Sequence, residues 1–205
     1  MVVFSKYQSK MANSCSCTYK IVGDKKQVKT IYKTLQYMEK RKTPVEKNGW
    51  GKLWLGCLIS KLGGDWREYS CRGEIMDFDY DKEVLTINME TAWTEQDGVR
   101  IFLQQTFPNI QIYYIEEEPG CEIYQTNDSE GIYFPERYFL DSMGNDSEYY
   151  ETIEQVASAV SKIVGRKIEP TEDAIEEALD RYNEDHEEDE DDCGYYFHVF
   201  EISES

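Results

Sequence analysis

The sequence predicts an α+β fold: an antiparallel sheet built in the order βαββαβ with helices on one face, then a C-terminal helical extension and a terminal strand. Three observations predict it. Residues 74–93, EIMDFDYDKEVLTINMETAW, alternate apolar and polar side chains at a period of two, the signature of strands with one buried face. Residues 24–40 carry an apolar stripe at helical spacing. A third strand-like segment, NIQIYYIEEE, follows a second helical segment that Pro108 stops.

The elements follow in order. Residues 15–23, CSCTYKIVG, read as a first strand with Cys17, Tyr19 and Ile21 on one face. In the helix of residues 24–40, Asp24 is placed to cap and Gln27 stands three residues on, as in a capping box. Val28, Ile31, Leu35 and Met38 recur at intervals of three, four and three. Residues 52–64 fit a short buried helix closed by Gly63. In the hairpin, a turn at Lys82-Glu83 sets Tyr80 against Leu85, Phe78 against Ile87 and Met76 against Met89. Asp77 and Asp79 then lie on the other, wet face, opposite Asn88 and Thr86. Lys-Glu is not a favoured two-residue turn, so a four-residue loop of the same parity fits as well. A calcium loop starting at Asp77 fails, because Lys82 stands where glycine is required and Asn88 where a bidentate glutamate is required.

A helix over 94–107 opens with Thr94 as cap and Asp97 three residues on, and 109–118 is the next strand. Residues 119–141 read as a further strand pair around Asn127-Asp128. A helix capped at Asp146 or Ser147 carries apolar residues at 149, 153, 156, 160 and 163, and Gly165 ends it. Thr171 caps another, with Ile175, Ala178, Leu179 and Tyr182 on one side. Residues 195–203, YYFHVFEIS, form a β-prone tail apolar on both faces, which has to pair or pack somewhere. The division expected is a core domain over 11–144, a helical extension over 145–183, an acidic linker over 184–193 and a terminal strand over 194–205. The βαββαβ order is that of the ferredoxin-like split motif.

Composition narrows the function. The chain has 205 residues, with 41 acids against 22 bases and a formal net charge of −19. Such a surface repels phosphate backbones, so nucleic-acid binding is disfavoured; it suits a basic protein partner or a cation, and solubility alone also accounts for it. Eight of the nine residues in 184–192 are acidic, and like-charge repulsion predicts a solvated, disordered linker there. Six cysteines in a chain rich in apolar core, with no signal-peptide pattern and no apolar run long enough to span a membrane, predict free thiols in the cytoplasm. Met11 is an alternative start to Met1.

Several segments carry a resemblance. MANSCSCTYKIVG at 11–23, CRGEI at 71–75, ETAW at 90–93 and EEPGCEIY at 117–124 are similar to landmarks of the YubB-like ferredoxin-like family. The resemblance spans roughly residues 11–140 and implies the same ferredoxin-like fold. It also implies a bacterial protein carried on a mobile element, in a family of unsettled biochemical role. The chain beyond about residue 145 departs from the family pattern.

Catalytic motifs are sparse. The two histidines, His186 and His198, lie in the acidic run and the terminal strand, away from the segments just quoted, which argues against a histidine-based triad. Cys15 and Cys17 alternate onto one face as small core residues rather than as a zinc knuckle. No phosphate-binding loop occurs, and no metal or cofactor is expected. The expected function is therefore a non-enzymatic interaction module, with an acidic surface that imitates nucleic acid toward a basic partner. Its candidate binding residues are Asp77, Asp79, Glu90, Trp93, Glu118, Gly120 and Cys121. The alternative is a small carboxylate-dependent hydrolase using Glu90 and Glu118 beside Trp93.

Overall fold

The structure, a computed structural model, describes residues 13–142, 146–186 and 194–203. It is mixed α/β, with a six-stranded sheet, a three-stranded sheet and five α-helices among those residues. The chain divides into two compact units, Met1–Asn127 and Asp128–Ser205.

The first unit contains β1 (Ser14–Gly23), α1 (Lys25–Lys40), α2 (Leu55–Lys61), β2 (Gly73–Asp81), β3 (Val84–Ala92), α3 (Asp97–Thr106), β4 (Ile110–Glu118) and β5 (Ile123–Thr126). Its strands lie in the order β2-β3-β1-β4-β5 and every pair is antiparallel. The larger sheet is thus not the simple four-stranded one expected. β1 sits centrally because alternation buries Cys15, Cys17, Tyr19 and Ile21 on one side. Against that side pack Val28, Ile31, Leu35 and Met38 of α1, with Leu55, Leu58 and Ile59 of α2 and Val99, Phe102 and Leu103 of α3. Asp24 caps α1 as expected, accepting from the backbone of Lys26 and Gln27. Gln27 does not complete a capping box; its carbonyl accepts from Asn109 N at 3.1 Å and ties the helix to the start of β4.

The hairpin register holds from the turn back to Asp77: Tyr80 faces Leu85, Asp79 faces Thr86, Phe78 faces Ile87 and Asp77 faces Asn88. The turn is the two-residue one, with positive φ at both Lys82 (47°) and Glu83 (74°). A bulge then breaks the alternation, so Ile75 rather than Met76 faces Met89. Met76 is pushed out to 57% exposure. The cause lies outside the hairpin: the Ile75 amide donates to Leu53 O, and Trp54 bridges to Glu74.

Helix α3 starts later than expected. Its first capping position is Gln96, without a side-chain cap, because the Thr94 hydroxyl is used elsewhere. Nor do β5 and β6 (Tyr138–Ser142) form a pair around Asn127-Asp128; they belong to different sheets. Asn127 stays with β4, its side chain accepting from Tyr114 N and donating to Ile112 O. Asp128 instead folds the following loop, accepting from the amides of Tyr133 and Phe134.

The second unit is more than a helical extension. β6, β7 (Glu148–Tyr150) and β8 (Tyr195–Val199) form an antiparallel sheet in the order β7-β6-β8. The terminal strand therefore pairs within its own chain, followed by a two-residue β9 (Glu201–Ile202). Helices α4 (Ile153–Ile163) and α5 (Glu172–Asp185) bury Val156, Ala157, Val160, Ile175, Ala178 and Leu179 with Leu140. Neither Asp146 nor Ser147 caps α4. Thr152 does so in a full capping box with Gln155, while Ser147 bonds Asp141. Tyr149, expected on the helix, stacks on Phe139 from β7 at 4.5 Å. Glu184 and Asp185, assigned to the linker, continue α5. The remainder of the acidic run, 187–193, and Met11 lie outside the described residues.

Candidate functional site

Strands β1 to β4 each turn one side toward the helices and the other side away from them. On the open side, adjacent strands set Glu74 opposite Glu90, Glu90 opposite Ser16 and Ser16 opposite Glu117. The next row carries Asp77, Asn88 and Thr18, joined by hydrogen bonds: Thr18 Oγ1 donates to Asn88 Oδ1 at 2.8 Å, and Asn88 Nδ2 donates to Asp77 Oδ1 at 2.7 Å. In the row after that, Lys20 Nζ donates to Thr86 Oγ1, with Asp79 on the far side of Thr86. One lysine thus faces five carboxylates, those of Glu74, Asp77, Asp79, Glu90 and Glu117. Ser14 donates to Glu90 Oε1 at 2.5 Å, and a shallow depression of about 380 Å³ lies among Ser14, Ser16, Met76, Glu90 and Glu117.

The sequence-predicted residues separate into groups. Asp77, Asp79 and Glu90 are on this open side. Glu118 is not: it follows the parity of Ile112, Tyr114 and Glu116, and is 4% exposed. Glu90 and Glu118 therefore lie on opposite faces of the sheet, which removes the two-carboxylate hydrolase site. Glu118 instead belongs to a corner at the sheet end. There its carboxylate accepts from the Cys121 thiol, Asn13 Nδ2 approaches Cys121 Sγ at 3.3 Å, and Gly120 leaves room for Glu118 Oε1. Trp93 joins the corner through its amide, which donates to Asn13 O at 3.1 Å. The residue is 44% exposed. Its φ of 74° is a left-handed conformation costing about 1–3 kcal/mol, which the surroundings have to impose.

What imposes it is a buried polar cluster that the sequence reading missed. Glu116, 2% exposed, accepts at Oε2 from Glu95 N at 2.5 Å, from Thr94 Oγ1 at 2.8 Å and from Cys15 Sγ at 3.4 Å. Glu95, 7% exposed, accepts from the Tyr19 hydroxyl and from Arg100 Nε at 3.1 Å. The Arg100 guanidinium lies over the Tyr114 ring, 5.2 Å from its centroid. Burial pushes the Glu95 carboxyl above its usual range, against the pull of Tyr19 and Arg100. Burial, with Glu116 alongside, pushes the Cys15 thiol up to about 12. Together these groups fasten the segment between β3 and α3 over the sheet end and hold Trp93 outward. The signal was present in β4: Ile110, Ile112, Tyr114, Glu116 and Glu118 share one parity, so two acids continue a buried stripe.

The five described cysteines are free, and among them only Cys121 is exposed. Maleimide labelling of the native chain should therefore modify Cys121 well before Cys15, Cys17, Cys57 or Cys71, as read by peptide mapping. Early labelling of Cys15 or Cys17 would contradict the closed sheet end. Among the described residues there is no group of three or more histidine, cysteine or acidic side chains arranged to hold a metal ion. None of their helices is long and apolar enough to cross a membrane.

Comparison of the chain with protein-family profiles, with curated proteins and with solved structures finds no match.

Proposed function

We propose that the chain is a cytoplasmic, non-enzymatic interaction module whose open sheet face binds a basic protein partner, with its carboxylates standing in for nucleic-acid charge. The single observation that carries this is Glu74 directly opposite Glu90, with Glu117 one strand beyond Ser16. Like charges directly opposite across a sheet are destabilising. Such a row becomes favourable when a cationic surface covers it. The protruding Met76 and the outward Trp93 offer apolar contact area beside the acids. The first unit is, in this reading, a ferredoxin-like split motif: β1-α1-β2-β3-α3-β4 gives the order βαββαβ when α2 is set aside, and the antiparallel order β2-β3-β1-β4 supports it. The resemblance of residues 11–140 to YubB-like proteins implies the same motif and a bacterial mobile-element origin, and rests on the quoted sequence segments alone.

The test is affinity capture from bacterial lysate at low and high salt, using the native chain and an Asp77→Lys/Glu90→Lys variant. A basic partner recovered at low salt should fall by roughly tenfold or more at high salt, and equally with the variant. A partner that survives both changes would remove the open face from the reading.

A further inference from the structure

The second unit contains a groove of about 640 Å³ between α4 and the β7-β6-β8 sheet. Its floor is apolar and partly aromatic, formed by Leu140, Tyr150, Ile163 and Tyr195. Ala159 lies one helical turn from both Gln155 and Ile163, and its small side chain leaves the space open. The volume falls in the range of small-molecule sites, roughly 300–1,000 Å³. The rim is charged and asymmetric. Asp146, Glu148 and Glu154 line it, against one lysine, Lys162.

We propose that this groove is a binding site for a small organic cation: a protonated primary amine carrying a flat apolar body. The body lies on the Tyr150 and Tyr195 side of the floor, and the ammonium meets Glu148 and Glu154. Aromatic faces beside a cation add to the attraction. Glu148 already accepts a hydrogen bond from the Tyr150 hydroxyl, which fixes carboxylate and ring relative to each other. The positive end of α4 works against a cation, but it amounts to about half a charge against three carboxylates. Lys162 lies eight residues beyond Glu154 on the same helix, about 12 Å along it, so a second ammonium at that end is repelled. A monoamine therefore fits better than a diamine. This site is independent of the acidic sheet face of the first unit.

The test is an amide-resonance titration of the full chain with tyramine, with 3-(4-hydroxyphenyl)propionate as the anionic control and putrescine as the diamine control. Tyramine should shift Tyr150, Gln155, Ser158 and Ala159 with a Kd below about 1 mM, and both controls should bind at least about tenfold more weakly. The isosteric Glu148→Gln/Glu154→Gln variant should weaken tyramine by about tenfold or more. Ala159→Leu should abolish binding by filling the groove, with its helical circular dichroism unchanged. Equal binding of amine and carboxylate would overturn the proposal. So would unchanged affinity in the double variant, or shifts confined to the sheet face of the first unit.

Discussion

Replacing Arg100 by Met should destabilise the first unit by about 3–5 kcal/mol at neutral pH, because it leaves the buried Glu95 carboxyl without its cation. For a chain of this size that corresponds to a fall in melting temperature on the order of 10 °C. All four tryptophans, Trp50, Trp54, Trp66 and Trp93, belong to the first unit, so their fluorescence reports its unfolding. The pH dependence identifies the cause. The folded-state pKa of Glu95 is raised above its ordinary 4.5, chiefly by burial. A raised carboxyl pKa contributes stability that is fully present below the unfolded value and is lost as pH rises through the folded one. Without Arg100 the shift grows and the loss deepens. The native and Arg100→Met stability curves should therefore run close together near pH 4 and diverge toward pH 7. A gap that stays constant with pH would mean that Arg100 acts by packing on Tyr114 rather than by neutralising Glu95.

Gly23→Ala should cost about 3 kcal/mol or more, read as a lower urea midpoint in the same fluorescence signal. Gly23 has a φ of +120°, which a side chain resists, with a strain of about 1–3 kcal/mol. A Cβ there would stand 2.2 Å from Asn109 O and 2.9 Å from Ile110 Cα, both backbone atoms that cannot swing aside. Overpacking of that kind adds about 1–3 kcal/mol. The same Asn109 carbonyl accepts from Asp24 N at 2.8 Å, so moving it also disturbs the cap of α1. An unchanged midpoint would mean that the end of β1 yields more easily than its contacts imply.

Local patterns were the legible part of the fold. The stripe Val28, Ile31, Leu35 and Met38 is buried throughout, and the hairpin partners from Tyr80 back to Asp77 follow from alternation and the turn alone. What could not be read was set by distant chain. The bulge at Met76 answers to Leu53 and Trp54, and the late start of α3 answers to Glu116 drawing Thr94 and Glu95 inward. Tyr149 matched a helical period as well as it matched a strand, and only pairing with β6 decides between them. Of the candidate site, Asp77, Asp79 and Glu90 were placed on an open face, as their parity implied. Linking Glu90 with Glu118 failed because closeness to the same sequence landmarks says nothing about which side of a sheet an acid takes.

The bulged strand β2 lies at the border of its sheet. Its first half is occupied by Leu53 and Trp54, and its second half carries Asp77, Asp79 and Asp81 beside the kink at Met76. An incoming polypeptide cannot zip its main chain onto such a border, since the ladder is interrupted and fenced by negative charge. Contact at this border is thereby confined to side chains meeting side chains. The same fence keeps two copies of β2 from pairing with each other, since each would bring Asp77, Asp79 and Asp81 against the other's.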